Sequence, residues 1–434
     1  MYITIIISAA SCLAMIFGVL FKPKLTFGKI NFDTYWFFPL IGAIALIAAG
    51  QCKISPLISS LTADTAINPL KILTLFISMT VLSIYLDEAG FFKYLADRTL
   101  RKAKASQKRI FIYLYIIVSV LTVFTSNDII VLTFTPFICY FAKNAGINPV
   151  PYLVAEFAAA NTWSMALIIG NPTNIYLASF CGINFISYLK VMLLPTLLAG
   201  FTSFAVLFIL FRKKLSQLVK PAYEDIHIKD KPLLTVGLVH LCACTLLLAV
   251  SSYIGWDMWL ISLAFTVSLF LFTLIIGIIR SQKQPILCGC LKRAPWQLIP
   301  FVLSMFVIVF SLAENGVSKQ LTDILGTNNV VLKYGLSSFF ASNLINNIPM
   351  SVLFCSVTNP LSGSVREGAI FATVIGSNIG AFLTPVGALA GIMWSSILKK
   401  QQVNFGCLDF IKYGIISSIP ALLAAIAGLV IILY

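Results

Sequence analysis

Long apolar stretches recur along the whole chain. They fall at about 2–21, 35–50, 70–86, 109–125, 128–142, 151–169, 187–211, 233–251, 255–279, 296–312, 331–357, 367–397 and 408–433. Many approach the ~20 residues a helix needs to cross hydrocarbon. None alternates over ~10 residues, which excludes a transmembrane β-barrel. Several are short or interrupted by Gly, Pro and Asn, so they predict broken or re-entrant helices. The pattern gives an all-α membrane protein with about 10–12 transmembrane elements. Composition agrees: 59% of the 434 residues are apolar, 10% are charged, and the mean hydropathy is +0.97. A soluble domain carries about 25% charged residues. A soluble globule, a disordered chain and a nucleic-acid binder are excluded. Residues 1–21 have no basic n-region and read as a first helix, not a cleaved signal peptide.

Charge gives orientation. The net charge of +15 belongs to a membrane chain whose Lys and Arg collect in cytoplasmic loops. The clusters are Lys22/Lys24/Lys29, then Lys93/Arg98/Arg101/Lys102/Lys104/Lys108/Arg109, then Arg212/Lys213/Lys214/Lys220, then Arg280/Lys283/Lys292/Arg293, then Lys399/Lys400. They predict a multi-pass protein of the cell membrane with loops 22–34, 87–109, 212–232 and 280–295 in the cytoplasm and the N-terminus outside. Loops 51–69 and 252–257 hold few charges and read as external.

The two halves resemble each other at an offset of roughly 217–226 residues. Leu86-Asp87-Glu88-Ala89-Gly90 echoes Leu312-Ala313-Glu314-Asn315-Gly316. Ser126-Asn127-Asp128-Ile129 echoes Ile345-Asn346-Asn347-Ile348, and Gly170 in Gly170-Asn171-Pro172-Thr173-Asn174 stands opposite Gly387 in Thr384-Pro385-Val386-Gly387. Tyr188-Leu189-Lys190 with Pro195 echoes Phe410-Ile411-Lys412 with Pro420. The first Glu-x-Gly segment runs into seven basic residues over 93–109, whereas 313–333 has Lys319 and Lys333 set against Glu314 and Asp323. Opposite charge surroundings predict two inverted repeats. The expected organisation is 1–69 as N-terminal scaffold helices, 70–215 as the first repeat, 216–295 as linker and connecting helices, and 296–434 as the second repeat.

Inverted repeats place a substrate site where broken helices meet. The breaks are 125–128, 170–174, 342–349 and 377–387, each rich in Asn, Ser, Thr, Gly and Pro. Non-helical backbone at membrane depth survives only inside protein or along a wet cavity. Asn127, Asn171, Thr173, Asn174, Asn346, Asn347, Asn378 and Thr384 are the candidate substrate ligands. Asp128 follows about 16 apolar residues and precedes another apolar run. A carboxylate there is costly and by default functional, so Asp128 is the candidate proton carrier. Its counterpart is Asn346 or Asn347, which cannot titrate. Glu156 is the second intramembrane acid, with Lys190 as a possible partner; Asp87 and Glu88, at a span's cytoplasmic end, read as solvated or capping. Cys242-x-Cys244 and Cys288-x-Cys290 lack the further ligands of a metal site, as do His227 and His240, so no metal and no cofactor is expected. No GxxxxGK[ST] is present, which predicts a secondary transporter without its own ATPase motif, not an enzyme.

The stretch Leu383-Thr384-Pro385-Val386-Gly387-Ala388-Leu389-Ala390, followed by Trp394, Leu398, Phe410, Lys412, Gly414, Pro420 and Gly428, resembles the TPxGxLAxxxW and FxKxG pattern of the ArsB arsenite-efflux family. That family lies within the ion-transporter superfamily that also holds NhaD-type sodium/proton antiporters. Leu86-Asp87-Glu88-Ala89-Gly90-Phe91-Phe92 resembles its LDExGFF segment, Asn127-Asp128 with Pro136 its ND…TP motif, and Asn346-Asn347-Ile348-Pro349 its NNxP motif. The resemblance covers about 70–430. It implies an inverted-repeat carrier in which 125–136, 161–174, 342–349 and 377–387 cradle the substrate. It further implies export of arsenite or antimonite in exchange for protons, a homodimer, and a soluble ArsA-type ATPase as a possible partner, with no nucleic acid.

Glu156 has no role that the resemblance carries over, and two further features bear on the substrate. Gly170-Asn171-Pro172-Thr173-Asn174 resembles a loop found across the superfamily and does not single out arsenite. Ser126-Asn127-Asp128 and Ile345-Asn346-Asn347 depart from the Ser-Asn-Thr motif of sodium-coupled anion symporters, and no Arg or Lys sits in the breaks to balance a carboxylate substrate. The alternatives are a sodium/proton antiporter on the same fold, with Asp128 and Glu156 binding the cation, and a membrane scaffold or receptor without transport.

Overall fold

The computed structural model describes residues 1–22, 24–27, 30–64, 68–102, 106–216, 227–228, 230–281 and 284–434. Lys29, Lys104, Lys220 and Lys283 of the basic clusters, and most of the predicted 212–232 link, lie outside the described residues.

The chain opens with α1 (Tyr2–Phe21), a short antiparallel hairpin of β1 (Lys24–Phe27) and β2 (Ile30–Asp33), α2 (Thr34–Ala48) and α3 (Ile54–Thr62). The hairpin stands where the sequence suggested only a loop. The first repeating series follows: α4 (Pro69–Glu88), α5 (Phe91–Lys102), α6 (Gln107–Phe124), α7 (Asn127–Ala145), α8 (Val150–Trp163), α9 (Pro172–Phe180) and α10 (Phe185–Phe211). Then come α11 (Lys231–Ile254), α12 (Met258–Ile279) and α13 (Pro285–Arg293). The series then returns as α14 (Leu298–Glu314), α15 (Val317–Leu325), α16 (Val330–Ile345), α17 (Asn347–Thr358), α18 (Gly363–Gly380), α19 (Leu389–Lys400) and α20 (Cys407–Leu433). Among the described residues, eight helical stretches are long and apolar enough to cross a membrane. α16 and α17 are among the shorter apolar helices, in the interrupted run 331–357.

The packing repeats as the order does. α6 lies on α8 as α16 lies on α18, α8 on α10 as α18 on α20, and α10 lies along α20. Across the halves the contacts are exchanged: α7 packs on α19 and α9 on α17. The helix pairs ahead of each series are exchanged too. α1 and α2 pack together and α2 lies on α14, while α11 and α12 pack together and α12 lies on α4. Each half is therefore built into the other.

Small residues set the closest contact. Gly376 and Gly380 of α18 face Ser338 and Ser342 of α16, a small-xxx-small pairing on both helices. A Cβ on Gly376 would lie 2.0 Å from Ser338 Oγ and 2.4 Å from the Gly335 carbonyl. Backbone cannot yield there as a flexible side chain could. Gly376→Ala is expected to destabilise the protein by about 1–3 kcal/mol, the usual cost of overpacking. Thermal unfolding of the purified variant in detergent checks this; an unchanged midpoint would contradict the packing.

Candidate functional site

All four predicted breaks are real interruptions of helix. Between α6 and α7 the chain is extended at Thr125 and Ser126, and α7 begins at Asn127. Between α16 and α17 the break is Asn346, at φ +71° and ψ 152°, a positive-φ conformation that residues other than glycine rarely adopt. The apolar run 331–357 is thus two helices meeting at the asparagine pair. α8 passes into α9 through two short 3₁₀ turns over 164–170, and α18 into α19 through a non-helical stretch at 381–388. Pro172 starts α9, where its missing N–H costs nothing, and the Asn171 side chain caps that helix by accepting from the Thr173 amide at 3.2 Å.

The two glycines paired from the sequence do matching work. A Cβ on Gly170 would sit 2.1 Å from the Ser164 carbonyl oxygen. One on Gly387 would sit 2.7 Å from Asn343 Oδ1 and 2.8 Å from the Gly380 carbonyl. Each loop folds back on the helix before it so tightly that only hydrogen fits.

The polar side chains form two buried groups. In the first, Asn378 of α18 reaches the loop of the other half. Its Oδ1 accepts from Ser164 Oγ at 2.9 Å and from Asn171 Nδ2 at 3.0 Å. Its Nδ2 donates to Asn174 Oδ1 at 2.7 Å and to the Val374 carbonyl at 2.9 Å. Asn174 in turn donates to the Ser164 and Leu167 carbonyls at 2.9 and 3.0 Å, and Thr173 Oγ1 donates to Asn174 Oδ1 at 3.4 Å. Ser164 also donates to the Asn161 carbonyl, and Asn161 Oδ1 accepts from Asn127 Nδ2 at 3.1 Å. Asn127, Asn171, Thr173, Asn174 and Asn378 therefore share one network.

The second group lies around the α16–α17 tip. Asn346 Nδ2 donates to the Val386 carbonyl at 3.1 Å, and the Asn347 amide to the Gly387 carbonyl at 3.0 Å. Thr384 Oγ1 donates to Asn343 Oδ1 at 2.7 Å, and Asn343 Nδ2 to the Gly380 carbonyl at 3.0 Å. Asn346, Asn347 and Thr384 are brought together here. Asp128 belongs to neither network. It is buried in the first turn of α7, 8% exposed, and among the described residues no hydrogen bond reaches its carboxyl group.

Three participants, Asn161, Ser164 and Asn343, lie within the segments 161–174 and 342–349 expected to cradle the substrate but were not singled out. Asn161 was legible, since the offset of the repeat carries it onto Asn378. Ser164 and Asn343 carried no motif. Glu156 does not pair with Lys190: its carboxyl takes the Thr135 hydroxyl at 2.9 and 3.1 Å and the Trp394 indole N–H at 3.4 Å. Asp87 and Glu88 are not free caps either, since both bind the Arg293 guanidinium of α13, at 2.5 and 2.7 Å. Among the described residues no group of three or more His, Cys, Asp and Glu side chains could hold a metal ion.

The two groups differ in what they leave open. Asn378 has both its acceptor and both its donor capacities used. Asn127 Oδ1 and Asn347 Oδ1 are buried without a partner, as are Ser126 Oγ and Ser377 Oγ. Buried polar atoms are normally bonded, so these unfilled acceptors at two helix tips are where a polar solute would be received.

The family model described as "Citrate transporter" matches residues 4–363. The chain belongs to that family. It is also similar to arsenical pump membrane proteins: 29% identical to that of Escherichia coli K12 over 373 residues, covering 82% of this chain and 84% of the other. A putative arsenical pump membrane protein of Bacillus subtilis is 24% identical over 407 residues, covering 86% and 89%. Among solved structures the fold matches the YdaH transporter of Alcanivorax borkumensis with a TM-score of 0.56 at 14% identity, covering 99% of this chain and 98% of that one. The protein is a multi-pass membrane transporter of the ion and anion type.

Asn378→Ala would leave Asn171 Nδ2 without its partner and take one bond each from Asn174 and Ser164. Leaving buried groups unsatisfied costs about 1–3 kcal/mol each. Asn127→Ala removes one bond and an oxygen that was already unfilled. Thermal unfolding of the two variants is expected to place Asn378→Ala well below Asn127→Ala; equal losses would contradict the distinction.

Proposed function

We propose that this transporter exports arsenite or antimonite in exchange for protons. One observation carries the reading: the breaks offer unfilled amide and hydroxyl acceptors and contain no Lys, Arg or His. Arsenite at neutral pH is an uncharged trihydroxy acid with O–H donors and no charge to balance. Asn127 and Asn347 would accept from it. Asn171, Thr173, Asn174, Asn346, Asn378 and Thr384 hold the two tips in register around it. Similarity to the arsenical pump membrane proteins over four-fifths of the chain supports the same substrate class.

Asp128 is the proposed proton carrier. It is buried, unbonded, and adjacent to Asn127, so taking up a proton would change the charge beside the substrate. In this reading the basic loops face the cytoplasm and the N-terminus lies outside. A homodimer and a soluble ATPase partner rest on the family resemblance alone.

A second reading has its own support. The N-termini of α7 and α17 present backbone N–H groups, which favour anions, and the family carries the description of a citrate transporter. An organic anion would then be the substrate.

The test is uptake into proteoliposomes under an imposed pH gradient, with arsenite, citrate and a sodium gradient run in parallel. Arsenite accumulation driven by pH alone is expected. Asp128→Asn is expected to abolish that accumulation while the protein remains folded. Full activity in that variant would remove Asp128 from the mechanism, and citrate accumulation in place of arsenite would replace the substrate.

A further inference from the structure

Asp97 is buried but paired with Arg101, whereas Glu156, like Asp128, is a buried acid in no ion pair among the described residues, and nothing in the transport reading uses it. It stands on α8 one turn and a residue before Asn161, and it is 1% exposed. Three helices meet at its carboxyl group. Thr135 of α7 lies 2.9 Å from Oε1 and 3.1 Å from Oε2, and the Trp394 indole of α19 donates to Oε2 at 3.4 Å. Cys139, one turn beyond Thr135, also faces it from α7, and Tyr152 lies one turn away on α8 with its hydroxyl committed to Gln107. Asp128 is the remaining acid of α7. Among the described residues, the basic side chains of the surrounding helices (Lys108, Arg109, Lys143, Lys190, Lys399, Lys400 and Lys412) make no ion pair with Glu156.

A buried carboxylate without a counter-cation is costly, so a purely structural role would favour an uncharged residue. The second half supplies that comparison. The offset that carries Asn161 onto Asn378 carries Glu156 onto Thr373, whose hydroxyl bonds the Ala369 carbonyl of its own helix at 2.7 Å. The fold closes the equivalent position without an acid. The partners of Glu156 also suit two protonation states. A threonine hydroxyl can donate to a carboxylate or accept from a carboxylic acid, whereas the indole N–H only donates.

We propose that Glu156 is a second proton-binding site, separate from Asp128. Its protonation state is read by the α7–α8–α19 contact through Thr135 and Trp394. Uptake adds one proton from water to one carboxyl oxygen and changes no other covalent bond. The ionised form draws both the Thr135 hydroxyl and the Trp394 N–H toward it. The neutral form releases the Thr135 proton to turn away and weakens the hold on Trp394. Trp394 packs at a tilt on Phe157 of α8 and edge to face with Phe410 of α20, at 5.1 and 5.4 Å between ring centroids, so its grip bears on how α19 sits against α8. The proposal rests on the reading of this chain as a proton-coupled carrier.

The direct test is pH-difference infrared spectroscopy of the full chain in lipid, which sees the carbonyl stretch of a protonated carboxyl group without any substrate. A band that titrates with pH, is lost in Glu156→Gln and persists in Asp128→Asn is expected. Trp394→Phe leaves the carboxyl in place and removes one donor, and it is expected to move the same band to higher frequency. This arm decides the matter should Glu156→Gln fail to fold. A band that does not titrate, or that survives Glu156→Gln, or that is unmoved by Trp394→Phe, would overturn the proposal. Flux separates the two claims. If wild-type protein carries arsenite, Glu156→Gln is expected to lose at least tenfold of the pH-driven accumulation while keeping exchange of labelled arsenite without a gradient. Should wild-type protein carry no arsenite, the substrate reading fails, and the infrared result still decides the role of Glu156.

Discussion

Breaking a helix inside a membrane exposes backbone groups that no water can satisfy. This chain does so at four places, and the rest of its architecture follows from how those groups are covered. The first half's loop over 164–171 is covered largely from the second half, where Asn378 commits its whole amide to Ser164, Asn171, Asn174 and its own helix. The second half's loop over 381–388 is covered by Asn343, Asn346 and the Asn347 amide. Gly170 and Gly387 permit the tight return each loop makes. α7 packs on α19 and α9 on α17, so the helices that follow the breaks of one half lie against those that follow the breaks of the other.

The same accounting separates two kinds of asparagine. Asn174 and Asn378 are saturated and, with Asn171 bonded through both its oxygen and its nitrogen, hold the breaks closed. Asn127 and Asn347 keep an unfilled oxygen each, at the first residue of a helix. A polar solute gains most where a buried acceptor has no partner within the protein, since no existing protein bond is lost. The proposed substrate chemistry therefore rests on the second kind, and the stability of the site on the first.

Much of this was legible in the sequence because membrane depth makes polarity informative. A buried Asn or Asp in an apolar run is costly enough to be noticed, and Asn127, Asp128, Asn346 and Asn378 were noticed for that reason. The repeat was legible through its short echoes, Gly170 with Gly387 included. What did not show was contact geometry. Asn161 sits in an Ala-rich helix, and Ser164 and Asn343 look like the common polar residues of membrane helices. Glu156 was seen, but its partners were not: Thr135 and Trp394 come from α7 and α19, and the latter lies in the other half. The β1–β2 hairpin escaped because a ladder of four residue pairs is too short to leave a hydropathy signal.

The account stands on the unfilled acceptors at the two helix tips. The measurement that tests it most directly is ligand-induced thermal stabilisation of the purified protein, since a ligand that binds only the folded state raises its stability by mass action. Arsenite or antimonite is predicted to raise the unfolding midpoint in a concentration-dependent way, citrate is not, and the effect is predicted to vanish in an Asn127→Ala, Asn347→Ala double variant. Stabilisation by citrate alone, or by arsenite undiminished in the double variant, would contradict it.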